Sequence, residues 1–143
     1  MLFYCIFAEI YVNMKRLLLK LPPYMPSVAA LLLLFYLTLV PQPLPEIEPP
    51  FLDFDKVVHI VMMMCMLLTF AFDYTRKEQQ RRLSLHVIVV LVIATITLGG
   101  FIELAQGTEL IHRGCDLGDF VADAIGAILG GVVSRAVVYR IVR

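Results

Sequence analysis

Three aspartates in the C-terminal third of the chain are spaced for one face of a helix. Asp116, Asp119 and Asp123 fall within about 60° of one another when successive residues are separated by 100°. Carboxylate oxygens are the ligands that Mg²⁺ and Mn²⁺ take in proteins. The spacing therefore makes these aspartates candidate metal ligands if the protein is an enzyme.

Other polar residues are expected at the same level of the molecule. Lys56 and His59 are three residues apart, as are Glu103 and Gln106, so each pair shares a helical face. His59, Glu103 and Asp119 are candidate catalytic residues, because imidazole and carboxyl groups act as general acids and bases. The full set of candidate ligand-binding residues is Asp55, Lys56, His59, Glu103, Gln106, Arg113, Asp116, Asp119 and Asp123.

Most of these residues also have a structural explanation. Asp55 and Lys56 would form an ion pair at the membrane interface. Glu103 and Arg113 would form a salt bridge between a helix and the following loop. Asp116 would cap a helix, since acidic residues favour helix N-termini. A structural role and a binding role both remain open for each of them.

The elements that position these residues are predicted to be membrane helices. Hydrophobic residues make up 60% of the 143 residues and charged residues only 17%, and the mean hydropathy is +0.85. This composition excludes intrinsic disorder, which needs low hydrophobicity and high net charge. Twelve basic residues balance twelve acidic ones, so no basic surface for nucleic acid is expected.

Four apolar segments approach the roughly 20 residues that a helix needs to cross a bilayer. We predict an all-α bundle of four transmembrane helices over residues 21–140, preceded by a short N-terminal segment, residues 1–20, in which Met14 is a candidate true start. The hydrophilic connector after the second segment is expected over residues 73–82. The predicted spans are residues 21–40, 57–74, 83–104 and 119–138.

The basic residues predict the orientation of the bundle. Ten of the twelve precede the first span, fill the 73–82 connector or close the chain, leaving Lys56 and Arg113 on the other side. Lysine and arginine are retained in the cytoplasm, so both termini are expected there. Nine of the twelve acidic residues then lie at or beyond the outer surface. The candidate site is therefore expected at the extracytoplasmic mouth.

Small residues continue the aspartate face along the fourth span. Ala122, Gly126 and Gly130 recur every four residues, and small residues allow transmembrane helices to approach closely. We therefore expect this face, with Asp119 and Asp123, to be directed into the bundle. Charged groups are costly in lipid, which makes lipid exposure of these acids improbable.

The order and spacing of these residues resemble the VanZ-like family over about residues 25–140. The family pattern is E-x-x-Q, a loop with arginine, and D-x-x-D-x-x-x-N-x-x-G, with D-K-x-x-H upstream. Asp123 departs from it, because it stands where the family usually has asparagine. The matching residues are Asp55, Lys56, His59, Glu103, Gln106, Arg113, Asp116, Asp119 and Gly126.

The resemblance implies a small multipass protein of the bacterial cytoplasmic membrane. The family is named for a protein linked to teicoplanin resistance and has no established reaction. One hypothesis is a protein that binds an amphiphile of the outer leaflet, with a role in glycopeptide resistance or envelope homeostasis. That amphiphile would be a cell-wall lipid precursor, a phospholipid head group or a lipoglycopeptide, with Lys56, His59 and Arg113 holding a phosphate or carboxylate.

Two other functions fit the same residues. The protein would be an enzyme acting on a lipid-linked phosphate if Asp116, Asp119 and Asp123 held Mg²⁺ or Mn²⁺. Alternatively, the polar mouth would be a clasp between helices in a protein that works by assembling with a partner protein.

Overall fold

In the computed structural model, every regular element in the described part of the chain is a helix. Residues 12–13, 16–17, 19–40, 54–78, 83–108 and 114–142 are described. Their main elements are α1 (Met25–Leu39), α2 (Phe54–Glu78), α3 (Leu85–Gln106) and α4 (Leu117–Val142). The prediction of an all-α fold with four helices is confirmed.

Three of these helices are long and apolar enough to cross a membrane. They are α2, α3 and the part of α4 from Leu117 to Val138, with 25, 22 and 22 residues. Helix α1 has 15 residues and is therefore about 22 Å long, which is less than the roughly 30 Å of a hydrocarbon core. The structure supports a membrane protein, while the fourth span and the orientation stay predictions.

Local sequence explains where α1 and α3 begin. Tyr24 has a left-handed backbone (φ 66°) before the first turn of α1, which contains a proline. Pro22 and Pro23 lie outside the helix, so α1 begins four residues later than the predicted span. Ser84 precedes α3, and its hydroxyl accepts a hydrogen bond from the Val87 amide at 3.3 Å, which satisfies one of the free amides of the first turn.

Helices α2 and α4 pack with their backbones close together. A Cβ atom at Gly126 would collide with the carbonyl oxygen of Ile60, and one at Gly130 would lie 3.0 Å from the carbonyl oxygen of Met64. Only glycine fits the approach at Gly126, whereas a Cβ at Gly130 would require α2 to move by a few tenths of an ångström. The small-residue face therefore lies against α2, and this contact places the first turns of α4 beside His59.

The apolar core consists of two clusters. One joins α2, α3 and α4 around Leu67, Ala71 and Ala127. The other joins α1, α2 and α3 around Leu34, Met63, Met66 and Ile102. Together they hold the four helices in one bundle and bring three helix ends to one level.

A buried polar contact ties the start of α1 to α2. Asp73 is only 2% exposed, and its carboxylate accepts hydrogen bonds from the Ser27 hydroxyl at 2.6 Å and the Ser27 amide at 3.0 Å. Arg76 donates to Asp73 at 3.2 Å and to the carbonyl oxygens of Leu21 and Pro22. We call Ser27, Asp73 and Arg76 the Asp73 cluster. The hydrophilic connector expected from residue 73 begins later, because Asp73 is buried and α2 continues to Glu78.

Candidate functional site

Four buried titratable side chains meet where α2 begins, α3 ends and α4 begins. His59 lies in the second turn of α2, Glu103 in the last turn of α3, and Asp119 and Asp123 in the first two turns of α4. All four are less than 9% exposed, and Asp123 is fully buried. We call these residues the buried acidic cluster.

His59 is the centre of this cluster. Its Nδ1 lies 2.9 Å from Oδ1 of Asp123, so the tautomer with a proton on Nδ1 donates a hydrogen bond to that carboxylate. Its Nε2 lies 3.9 Å from Oδ2 of Asp119. The imidazole is thus held between two carboxylates of α4, an arrangement that fixes its orientation for acid–base or ligand chemistry.

Space for the Asp123 carboxylate comes from α3. A Cβ atom at Gly99 would lie 2.7 Å from Oδ2 of Asp123, so any larger residue there would displace the carboxylate. Gly99 is one turn from Glu103 on the same helix face. Helix α3 therefore provides both a carboxylate and the room for another.

Glu103 connects α3 to the chain that leads into α4. Its Oε2 accepts a hydrogen bond from the Asp116 backbone amide at 3.1 Å. The predicted salt bridge from Glu103 to Arg113 lies outside the described residues, as does any part of Arg113 in ligand binding. Both stay predictions.

Asp116 occupies the rim of the site. It precedes α4, its side chain is 56% exposed, and its Oδ1 accepts a hydrogen bond from the Gly118 amide at 2.7 Å. Lys56 places Nζ 3.9 Å from the other carboxylate oxygen. Asp116 thus caps α4, one of the two roles expected for it.

The described residues contain two sets of side chains with the spacing of metal ligands. One is Asp55, His59 and Asp119, in which Asp55 is exposed; the other is His59, Glu103 and Asp123, all buried. In each set the three ligand atoms lie within 4.8 Å of one another. Neither set contains Asp116, so the predicted ligand group of Asp116, Asp119 and Asp123 is not brought together as one set.

Gln106 forms a hydrogen bond to the backbone of α1. It is buried, and its Nε2 donates a hydrogen bond to the carbonyl oxygen of Thr38 at 2.8 Å. This contact joins the C-terminal ends of α3 and α1. The structure thus gives Gln106 a structural contact, and its place among the ligand-binding residues stays a prediction.

Gln106→Leu is expected to destabilise the protein by about 1 kcal/mol, the usual net value of one hydrogen bond. The volume is nearly conserved, and the hydrogen bond from Gln106 to the Thr38 carbonyl is lost. Metal and lipid binding should stay at the wild-type level. Denaturant unfolding in mild detergent measures the first effect, and a loss of binding at unchanged stability would return Gln106 to the site.

An apolar groove runs along the outside of α3 and α4 next to the buried acidic cluster. Its volume is about 610 Å³. Sequence reasoning missed it, because a groove depends on how two helices diverge and leaves no pattern in either helix. We call it the α3–α4 groove; its lining residues are Ile96, Thr97, Gly100, Phe101, Glu103, Leu104, Cys115, Asp116, Leu117 and Phe120.

No protein-family model matches this chain. No curated protein and no solved structure matches it either. The function is therefore inferred from the geometry of the buried acidic cluster and the α3–α4 groove.

Proposed function

We propose that this chain is a VanZ-like integral membrane protein that binds an amphiphile of the outer leaflet. The observation that carries the proposal is the α3–α4 groove. Apolar side chains line most of it, and two of its wall residues, Glu103 and Asp116, are carboxylates at the mouth of the bundle. An apolar groove with a polar end has the form needed for a hydrocarbon chain and its head group.

The groove faces outward, where lipid reaches it. Phe101, Leu104 and Leu117 on its wall are 66%, 68% and 75% exposed. Exposed apolar side chains on a membrane helix contact acyl chains. The hydrocarbon part of the ligand therefore enters sideways from the bilayer.

The charges at the polar end favour a head group that carries a positive charge. His59 is engaged by Asp123 and Asp119, and Lys56 lies beside Asp116. These cations are thus near carboxylates already, which weakens the hypothesis that they hold a phosphate. Among the described residues, the carboxylates at this end outnumber the cations. An ammonium, such as that of phosphatidylethanolamine, complements the excess negative charge.

The proposed topology completes this function. Four spans with both termini in the cytoplasm place the buried acidic cluster in the outer leaflet of the bacterial cytoplasmic membrane. The site then faces envelope lipids and lipoglycopeptides. A role in glycopeptide resistance or envelope homeostasis follows from that location.

The groove is tested by filling it. Thr97→Trp places a large ring in the groove, while Val121→Trp adds the same ring to a half-exposed position outside it. Native mass spectrometry would compare binding of phosphatidylethanolamine and phosphatidylglycerol with identical acyl chains. We expect wild-type protein and Val121→Trp to prefer phosphatidylethanolamine, and Thr97→Trp to bind it about tenfold more weakly, which is about 1.4 kcal/mol.

Two results would contradict the proposal. Equal binding of both phospholipids by all three proteins would show ordinary annular lipid. Equal weakening by both tryptophan variants would show a general effect of bulk. A parallel titration with a lipoglycopeptide distinguishes a membrane lipid from an antibiotic as the ligand.

A second function is favoured by the pairing of His59 with Asp123. An imidazole oriented by a carboxylate is a general base, and Glu103 belongs both to the cluster and to the groove wall. The chain would then hydrolyse a lipid-linked phosphate. Release of inorganic phosphate that is lost in His59→Ala and kept in Gln106→Leu would favour the enzyme over the binding protein.

A further inference from the structure

Three buried carboxylate oxygens of the cluster lack a hydrogen-bond partner among the described residues. They are Oε1 of Glu103, Oδ1 of Asp119 and Oδ2 of Asp123. These residues are 3%, 8% and 0% exposed, so bulk water does not satisfy them. A buried polar oxygen without a partner is costly and calls for an explanation such as a bound ion.

The net charge of the buried acidic cluster also indicates a bound cation. Three carboxylates surround one imidazole, which carries at most one positive charge. Burying uncompensated negative charge in a protein interior is costly. A divalent cation would balance the excess.

We propose that His59, Glu103 and Asp123 bind one divalent cation, with Asp119 adjacent to it. The three residues come from three helices, and one ligand atom from each lies within 4.8 Å of the other two. Small side-chain rotations bring such atoms to bonding distance around one ion. Two of the three partnerless oxygens are on residues of this set, Glu103 and Asp123.

The donor atoms indicate which divalent cation suits the site and serves as the probe. Carboxylates suit Mg²⁺, Ca²⁺ and Mn²⁺, whereas imidazole suits transition metals, so a mixed set fits Mn²⁺ best. Mn²⁺ is also the better probe, because the exposed thiols of Cys65 and Cys115 compete for softer ions such as Zn²⁺. The proposal does not depend on lipid binding, so a chain that binds Mn²⁺ but no amphiphile leaves it intact.

The test is a titration of the full, tag-free chain in mild detergent after treatment with a chelator. Calorimetry and the electron paramagnetic resonance signal of free Mn²⁺ would both be followed. Wild type is expected to bind one equivalent. Glu103→Gln and Asp123→Asn are each expected to bind at least about tenfold more weakly, the scale of losses at metal sites.

Matched variants separate a ligand from a nearby charge. Asp116→Asn removes a carboxylate from the rim and should leave the affinity within about twofold. Gly99→Ala keeps every carboxylate but displaces that of Asp123, so it should weaken binding as well. Glu103→Gln keeps an acceptor for the Asp116 amide and is expected to fold, which protects the test if Asp123→Asn does not.

Three results would overturn the proposal. The first is the absence of saturable Mn²⁺ binding by wild-type protein, which would mean that shared protons compensate the carboxylates. The second is an equal loss in Asp116→Asn and Glu103→Gln. The third is a loss in Asp55→Asn with full binding in Glu103→Gln, which would place the ion between Asp55, His59 and Asp119.

Discussion

Gly126→Ala is expected to lower the free energy of unfolding by about 2–3 kcal/mol, the upper range for forcing extra atoms into a packed interface. The new methyl group would meet the carbonyl oxygen of Ile60. Backbone atoms cannot rotate away as side chains do, so α2 and α4 must separate. The loss would occur against helix propensity, since alanine favours a helix over glycine by up to about 1 kcal/mol.

Gly131→Ala is the matched control for this prediction. It makes the same substitution five residues later on α4, where the methyl group would meet only the side-chain ends of Val92 and Ile88. Those methyl groups belong to stiff β-branched side chains that still move more easily than backbone, so a loss of about 1–2 kcal/mol, below that of Gly126→Ala, is expected. Unfolding by SDS titration, followed by circular dichroism, compares the two variants. Equal losses would refute a backbone contact between α2 and α4.

Asp73→Ala is expected to cost about 3–5 kcal/mol, the range for removing one partner of a buried ion pair. Ser27 would lose the acceptor for its hydroxyl and amide, and the guanidinium of Arg76 would lose its carboxylate. Helix α1 should then separate from α2. Faster tryptic cleavage after Lys20, next to the anchored Leu21 carbonyl, would report this separation.

Glu78→Ala is the control for the Asp73 cluster, because it removes an exposed acid from the end of the same helix. It should change stability by less than about 0.5 kcal/mol. Asp73→Asn keeps an oxygen for Ser27 and should fall between the two. If Asp73→Ala unfolds like wild type, the hydrogen bonds of the Asp73 cluster do not hold α1 in place.

Much of the fold follows from the lengths of the apolar segments. The predicted and observed bounds differ at the helix ends, where hydropathy does not show whether the backbone stays helical. Helix α2 extends three residues before and four residues after its predicted span, because the polar residues there remain helical. Asp73 falls in the expected hydrophilic connector for the same reason, because hydropathy does not reveal that Ser27 lies across from it.

The site was predictable to the extent that helical spacing determines it. The structure brings together His59, Glu103, Asp119 and Asp123, which the sequence placed at one end of the bundle. Asp116 lies outside the buried acidic cluster, because α4 begins at Leu117 and leaves the Asp116 side chain exposed at the rim. Gln106 differs because its partner is a backbone carbonyl, which has no sequence signature.

The contact between His59 and Asp123 also constrains how the protein is made. These residues are 64 positions apart, with all of α3 between them, so α2 is synthesised before its partner on α4. Until then the imidazole has no carboxylate of α4 beside it, and a polar group in that condition is costly in an apolar medium. A nascent chain halted before Asp123 would therefore lack the complete site. It would also lack the hydrogen bond that stabilises His59 in an apolar medium.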